Sequence, residues 1–218
     1  MKTLQPFKNI QAVLFDMDGV VIDSYDLHNQ AKKEALEFYN IYLADSEWKK
    51  IQDLTSTQIY RQIFNLFPEV KVSEKDFVAR KSKIFAQRVS SKLLVSHCLK
   101  FAQQLKNKKI KTALVTANRR ETWKSIAKKF RLNQYFDISL GKEDVKNEKP
   151  DPECYIMAAK LLGVEPKNCL VIEDSIPGIQ SGKAAGCIVA GKVTADSKEV
   201  LLKAGADVVF ENFSELLK

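Results

Sequence analysis

Five short runs of almost unbroken apolar residues limit what this chain can become. They are Ala12–Asp16 (AVLFD), Thr112–Thr116 (TALVT), Cys169–Glu173 (CLVIE), Cys187–Ala190 (CIVA) and Asp207–Phe210 (DVVF). A strand with one wet face alternates apolar and polar residues, whereas a run without alternation suits a strand covered on both faces, as in a parallel sheet flanked by helices. Helical stretches with readable ends lie between the runs. Asp151 is placed to cap a helix with Pro152 at its first position, and Gly163 follows the last apolar pair, Leu161-Leu162. Strand and helix alternate from about residue 95 to the end. The expectation is an α/β fold, a doubly wound, Rossmann-like parallel sheet.

The stretch from Ser24 to Leu94 breaks that alternation. Leu27, Ala31, Ala35 and Phe38 recur at helical spacing, as do Ile51, Leu54, Ile59 and Ile63, and then Phe77, Ile84 and Phe85. One strand is thus followed by a long helical segment before the sheet resumes. The simplest organisation is a core of residues 1–23 and 95–218 with a helical cap domain, 24–94, inserted after the first strand.

Composition narrows the function classes. Apolar residues make up 45% and charged residues 28%, the balance of a globular chain. No apolar run approaches the about 18 residues of a membrane span. The first apolar run is broken at once by Asp16 and Asp18, unlike a secretory signal, so a cytoplasmic protein without a membrane partner is expected. Cys98, Cys154, Cys169 and Cys187 are widely spaced, form no Cys-x-x-Cys pair and accompany only 2 His; buried free thiols are expected, not zinc ligands or a disulfide framework. The net charge is +8, and eleven basic residues face one acid, Glu121, between Lys100 and Arg131. That stretch lacks the aromatic interleaving of a nucleic-acid binder, so a solvated basic face that attracts anions is the reading, with no nucleic-acid partner. A monomer is expected.

Active sites of open α/β sheets lie at the carboxyl ends of the strands. The first strand ends in Asp16-Met17-Asp18-Gly19 and the second in Thr116-Ala117-Asn118; the third main run leads into Glu173-Asp174-Ser175, preceded by Lys149-Pro150-Asp151-Pro152. Four carboxylates, a hydroxyl and a lysine on one rim are too polar for a core. Asp16 and Asp18, two apart, lean to the same side of an extended chain. Carboxylates packed so closely repel and require a cation, and an all-oxygen ligand set selects Mg²⁺. A neutralised carboxylate beside a lysine, a hydroxyl and a second acid suits phosphoryl transfer.

In this order, Phe15-Asp16-Met17-Asp18-Gly19-Val20-Val21-Ile22-Asp23-Ser24, Thr116, Lys149-Pro150-Asp151-Pro152 and Glu173-Asp174-Ser175 with Gly178-Ile179 and Ala184-Ala185-Gly186 resemble the four motifs of the haloacid dehalogenase superfamily. The similar subgroup carries a helical cap after the first strand, as in β-phosphoglucomutase-like and phosphoglycolate-phosphatase-like enzymes. The resemblance implies that Asp16 is a nucleophile forming an aspartyl-phosphate and that Asp18 is the general acid/base. It further implies that Thr116 and the backbone of Ala117 and Asn118 hold the phosphoryl group, that Gly19 is a substrate-binding residue, and that Lys149 offsets the charge. The Mg²⁺ ligands implied are Asp16, Asp18 through its carbonyl, and Asp174, with Glu173 an alternate or outer ligand. His28, twelve residues after Asp16, matches a substrate-facing histidine of the mutase-like members; a solvated helical histidine is the competing reading. His97 is read as structural.

Two stretches depart from the family pattern. Asp53-Leu54-Thr55-Ser56-Thr57 replaces a Gly-x-x-Arg-like cap signature whose arginine grips a second phosphate, leaving Arg61, Lys81 or Lys83 as substitutes. Val95-Ser96-His97-Cys98 stands where a Pro-Gly turn is common. The expected activity is therefore Mg²⁺-dependent hydrolysis of a small phosphorylated metabolite, the alternative a β-phosphoglucomutase-like mutase. A binding module that reuses the fold is the weakest reading, because every catalytic motif residue is present.

Overall fold

The computed structural model describes residues 9–52 and 54–217. They divide into two units, one containing residues up to Asp23 and from Ser91 onward, the other Ser24–Ser90.

The larger unit is built on a six-stranded sheet: β1 (Ala12–Asp16), β2 (Lys111–Val115), β3 (Ile138–Leu140), β4 (Cys169–Glu173), β5 (Ile188–Lys192) and β6 (Val208–Phe210). Their order is β3-β2-β1-β4-β5-β6, and all pairs are parallel. Every residue of β1 and β4 is buried, the physical counterpart of their unbroken apolar sequence. Ala12 and Leu14 of β1 belong to a core that includes Tyr155, Ala158, Ala159 and Leu162 of a helix at Glu153–Leu162 and Ile179 of another at Ile176–Ala184. Phe15 meets Phe101, Phe136 and Phe213 instead. The chain winds outward from β1 through β2 to β3, then crosses back to β4, β5 and β6. The carboxyl ends of β2, β1 and β4 therefore lie side by side at the point where the winding reverses.

The smaller unit consists of α1 (Tyr25–Phe38), α2 (Asp45–Ile51), α3 (Ser56–Ile63) and α4 (Glu74–Arg88). Thr55 and Ser73 cap α3 and α4 by accepting the backbone N–H groups of Gln58 and Asp76. Ala35, Leu36, Ile41, Ile51, Ile59, Ile63, Phe64 and Phe77 form its core. Returning to the larger unit, the helices are α5 (Cys98–Asn107), α6 (Arg120–Phe130), α7 (Glu153–Leu162), α8 (Ile176–Ala184) and α9 (Lys198–Lys203). No helix among the described residues is long and apolar enough to cross a membrane, and all four cysteines are buried free thiols.

Several details differ from the sequence expectations. The helical unit ends at Ser90, not Leu94, because Leu94 bridges to Ile22, Leu93 accepts the Asp23 N–H and Val95 donates to Val21. The edge strand β3 escaped the reading, since Ile138 and Ser139 are only half-buried and their run is neither long nor continuously apolar. β2 stops at Val115, where the Thr116 hydroxyl accepts the Asn118 N–H and opens a turn. β5 begins at Ile188 and runs to Lys192, beyond its apolar stretch. β6 begins at Val208, and the Asp207 carboxylate accepts the Val189 N–H. Pro152, not Asp151, is the last residue before α7, although an Asp151 carboxylate oxygen still accepts the Glu153 N–H at 2.9 Å. Phe38 is 53% exposed under the Arg80 guanidinium, while Leu36 turns inward. His97 takes φ 64° at the start of α5, a left-handed position that a glycine occupies at lower cost. Gly163 closes α7 at φ 63°, as its place after Leu162 predicts.

The aromatic cluster generates a stability prediction. Phe213 is fully buried, with ring centroids 5.7 Å from Phe101 and 5.2 Å from Phe210. Phe213→Ala should cost about 3–5 kcal/mol through lost transfer energy and a cavity. Urea unfolding measures it, and a loss below about 1 kcal/mol would contradict the packing role.

Candidate active site

Asp16 is the last residue of β1, in register with Val115 at the end of β2, and Glu173 ends β4 on its other side. The backbone then turns sharply. Gly19 adopts φ 74° and donates to the Ile22 carbonyl at 2.7 Å, and the N–H groups of Val21 and Ile22 both bond to the Met17 carbonyl. Glycine is required here for clearance as well as conformation. A Cβ on Gly19 would lie 1.7 Å from Asp174 Oδ2. The Asp-x-Asp-Gly string thus lets a second strand's carboxylate close on the first strand's loop.

Lys149 is the electrostatic hub. Its Nζ donates to Asp16 Oδ1 and to Glu173 Oε1, each at 2.6 Å, with all three side chains nearly buried. The loop carrying it is pinned from α7, where the Glu153 carboxylate accepts the Lys146 and Asn147 N–H groups at 3.0 and 2.9 Å. Burial works against the charge on Lys149, but Asp16 and Glu173 outweigh it and hold its pKa well above the usual lysine value. Burial, reinforced by Glu173, Asp18 and Asp174, pushes the Asp16 carboxyl well above the ordinary range despite the ammonium. Lys149 alone does not balance the carboxylates gathered here.

Asp16, Glu173 and Asp174 each bring an oxygen within 4.8 Å of the others, an all-oxygen group suited to a hard cation. The shortfall of positive charge fits a divalent ion. Glu173, however, is committed elsewhere. Its Oε1 accepts from Lys149 and from the Tyr155 hydroxyl at 2.8 Å, and its Oε2 accepts from the Asp174 N–H at 3.1 Å, the Ser175 N–H at 3.3 Å and Ser175 Oγ at 3.0 Å. Asp174 is steadied by Thr194, whose hydroxyl donates to Oδ2 at 2.8 Å.

Asp18 lies close enough for its charge to bear on Asp16 and Asp174, while its hydrogen bonds run to the loop after β2. Asn118 Nδ2 donates to its Oδ2 at 2.5 Å, and the Thr116 hydroxyl lies 3.5 Å from the same oxygen. Asp18 lies past the end of β1, so its carboxylate takes its hydrogen bonds from the loop after β2. Asn118 also donates to Thr116 Oγ1, through its backbone at 3.1 Å and its side chain at 3.2 Å, whereas Ala117 is exposed. Sequence reasoning gave Asn118 only a backbone role and missed Tyr155, Thr194 and Glu153. Tyr155 follows the Lys-Pro-Asp-Pro string by three residues, a spacing that was available as a signal.

In the helical unit, the His28 ring stacks on Phe85 at 4.0 Å with its Nδ1 2.5 Å from Lys81 Nζ, so it is not simply solvated. Of the cations considered for a second-phosphate clamp, Lys81 is buried, Lys83 exposed, and Arg61 exposed and ion-paired with Glu74 at 3.3 Å. Asp53 lies outside the described residues.

Residues 13–192 match the family model described as haloacid dehalogenase-like hydrolase. The chain belongs to this family. A phosphorylated carbohydrates phosphatase of Thermotoga maritima is 30% identical over 90% of this chain and 92% of its own length. The β-phosphoglucomutase of Bacillus subtilis is 28% identical over 95% of this chain and 92% of its own. Among solved structures, a haloacid dehalogenase hydrolase of Entamoeba histolytica superposes with a TM-score of 0.83 at 27% identity, covering 94% of each chain. The family assignment makes this chain a hydrolase, and its core carries the family's parallel sheet.

The site generates a pH prediction. Burial, then the Glu173 charge, raises the Asp174 carboxyl from 3.8 to about 7, against the Thr194 hydrogen bond. A raised folded-state pKa means the folded protein holds this proton more tightly than the unfolded chain. The resulting stabilisation is full below about pH 3.8 and is lost as pH rises through about 7. Asp174→Asn is neutral throughout. In EDTA, the Tm of wild type should therefore fall relative to Asp174→Asn between pH 4 and 7.5; a constant difference would refute the shift.

Proposed function

We propose that the protein is a Mg²⁺-dependent phosphatase of small phosphorylated metabolites, with Asp16 as nucleophile. The observation that carries this reading is the Asp16 carboxylate, 7% exposed at the end of β1, bonded to the Lys149 ammonium at 2.6 Å. A carboxylate so placed is oriented and partly neutralised, yet an ammonium does not block attack on phosphorus as a covalent or apolar neighbour would. The Thermotoga relative makes phosphorylated carbohydrates the first substrates to try.

In the first half-reaction Asp16 attacks the phosphorus, forming an aspartyl-phosphate, while Asp18 gives a proton to the departing oxygen. Asn118 and Thr116 hold Asp18 in place for that transfer. In the second, Asp18 takes a proton from the water that hydrolyses the intermediate. Thr116 and the Ala117–Asn118 backbone steady the transferring phosphoryl group, and Lys149 offsets the charge building on its oxygens. Asp16, Asp174 and the Asp18 carbonyl would hold Mg²⁺, with Glu173 in an outer position; when bound, the ion supplies Lewis-acid stabilisation of the phosphoryl oxygens. The buried free thiols support a reducing, cytoplasmic setting.

The relative from Bacillus subtilis supports a second reading, a sugar-phosphate mutase. A mutase must retain a bisphosphate while it reorients, which takes a cation for the non-transferring phosphate. Leu54–Thr57 carries none, and Arg61 is engaged with Glu74, which favours hydrolysis.

The test is a panel of phosphate esters with Mg²⁺. Asp16→Asn, nearly isosteric but not nucleophilic, should keep the fold by circular dichroism and lose at least about 10³-fold in kcat. Near-wild-type turnover in that variant would end the mechanism. Asp18→Ala should lose at least ~10²-fold. Ca²⁺ should substitute poorly for Mg²⁺, because it takes more ligands at longer distances; equal rates would contradict the assigned ligand set. With β-glucose 1-phosphate and catalytic β-glucose 1,6-bisphosphate, phosphate release should exceed glucose 6-phosphate formation, and the reverse outcome would favour the mutase.

A further inference from the structure

We propose that Tyr155 is a positioning residue, whose hydroxyl holds Glu173 so that Glu173 in turn sets where Lys149 places its ammonium on Asp16. The inference rests on the reading of Asp16 as the nucleophile.

Tyr155 is fully buried on the apolar side of α7, among Cys154, Ala158, Ala159 and Leu162. Phenylalanine would fill the same volume. A phenol there is tolerated only if its hydroxyl finds a partner, since a buried O–H without one loses its water for nothing. The partner is Glu173 Oε1 at 2.8 Å, the same oxygen that accepts from Lys149 at 2.6 Å. The ring contributes as well. Lys149 Nζ sits 5.1 Å from its centroid, within the range of a cation–π contact. Tyr155 therefore touches both the lysine, through its ring, and the lysine's carboxylate partner, through its hydroxyl, and its hydroxyl is bonded to Glu173 and not to the nucleophile.

Glu173 transmits the constraint because it is itself immobile. It is fully buried, and Ser175 and the Asp174 backbone occupy its other oxygen. Gly178, the third residue of α8, lies so close that a Cβ there would stand 1.9 Å from the Glu173 carboxyl. The carboxylate is wedged between α8 and α7, and the Tyr155 hydroxyl fixes how much of the Oε1 electron density remains for the ammonium. With that hydroxyl removed, Lys149 becomes the main donor to Oε1 and is drawn toward Glu173, away from Asp16. Substrate binding is left in place while the charge balance at the nucleophile is lost. The signature of such a role is a fall in kcat with KM unchanged, which a merely packing role does not produce.

The test compares Tyr155→Phe with wild type on the best phosphate ester found for this enzyme, and with Thr112→Val as a control. Thr112 is also fully buried, and its hydroxyl donates to the Tyr135 carbonyl at the opposite end of β2. Tyr155→Phe should lower kcat about 10-fold, roughly the value of one hydrogen bond to a charged acceptor, with KM within about 2-fold of wild type. Thr112→Val should lower Tm and leave kcat as it was. The same Tyr155→Phe change should cost less than about 2-fold when made in a Glu173→Gln background, because the hydroxyl acts through that carboxylate. A kcat for Tyr155→Phe within about 2-fold of wild type would overturn the proposal. So would an undiminished effect in the Glu173→Gln background, or a loss matched by Thr112→Val at equal Tm. Failure of the Asp16 reading is separately visible, since Asp16→Asn would then retain the activity of wild type before Tyr155 is altered.

Discussion

The ammonium of Lys149, held between Asp16 and Glu173 at 2.6 Å on each side, is the interaction on which the rest of this site depends. Two strands and the loops that follow them deliver carboxylates to one rim, and carboxylates so close repel one another. Burial makes the repulsion worse by removing the water that would screen it. The lysine turns part of that repulsion into attraction, and its own charge is kept by the same neighbours. What it leaves unbalanced is what a divalent cation would relieve, so the buried ion pair and the acidic group next to it describe one electrostatic problem.

The surrounding fold supports this arrangement through clearances and second partners. Gly19 and Gly178 each stand where a Cβ would collide with a carboxyl group, of Asp174 and Glu173 respectively. Both glycines are therefore conditions for the approach of the acids and not simply flexible points in the chain. Asn118, Thr194, Glu153 and Tyr155 each bond to a motif side chain or to the loop that carries one. Such partners fix rotamers, and a site that moves charge between fixed groups benefits from having little left to reorganise.

The two acids of the first motif separate in the folded chain. Asp16 belongs to β1 and faces Lys149, whereas Asp18 follows a turn and faces Asn118. The roles proposed for them, nucleophile and acid/base, correspond to these two sets of hydrogen-bond partners, an ammonium for one and neutral donors for the other. Glu173 and Asp174 separate in the same way: one is saturated by Lys149, Tyr155 and Ser175, the other is reached by Thr194 and remains closer to solvent.

The sheet was legible in the residues because unbroken apolar runs have few other uses in a chain of this length. Ala12–Asp16 and Cys169–Glu173 are strands with the bounds their sequence implies. The edge strand Ile138–Leu140 was not legible, since a half-covered strand needs no continuous run. The order of the motifs, Asp16 and Asp18 first, then Thr116, Lys149 and Asp174, was likewise open to reading, because strand ends place chemistry at known points in an open sheet. Only the tertiary structure decided where each carboxylate points. Direction at a strand end is set by neighbours distant in sequence, such as Asn118 for Asp18 and Tyr155 for Glu173, and no spacing along the chain encodes those contacts.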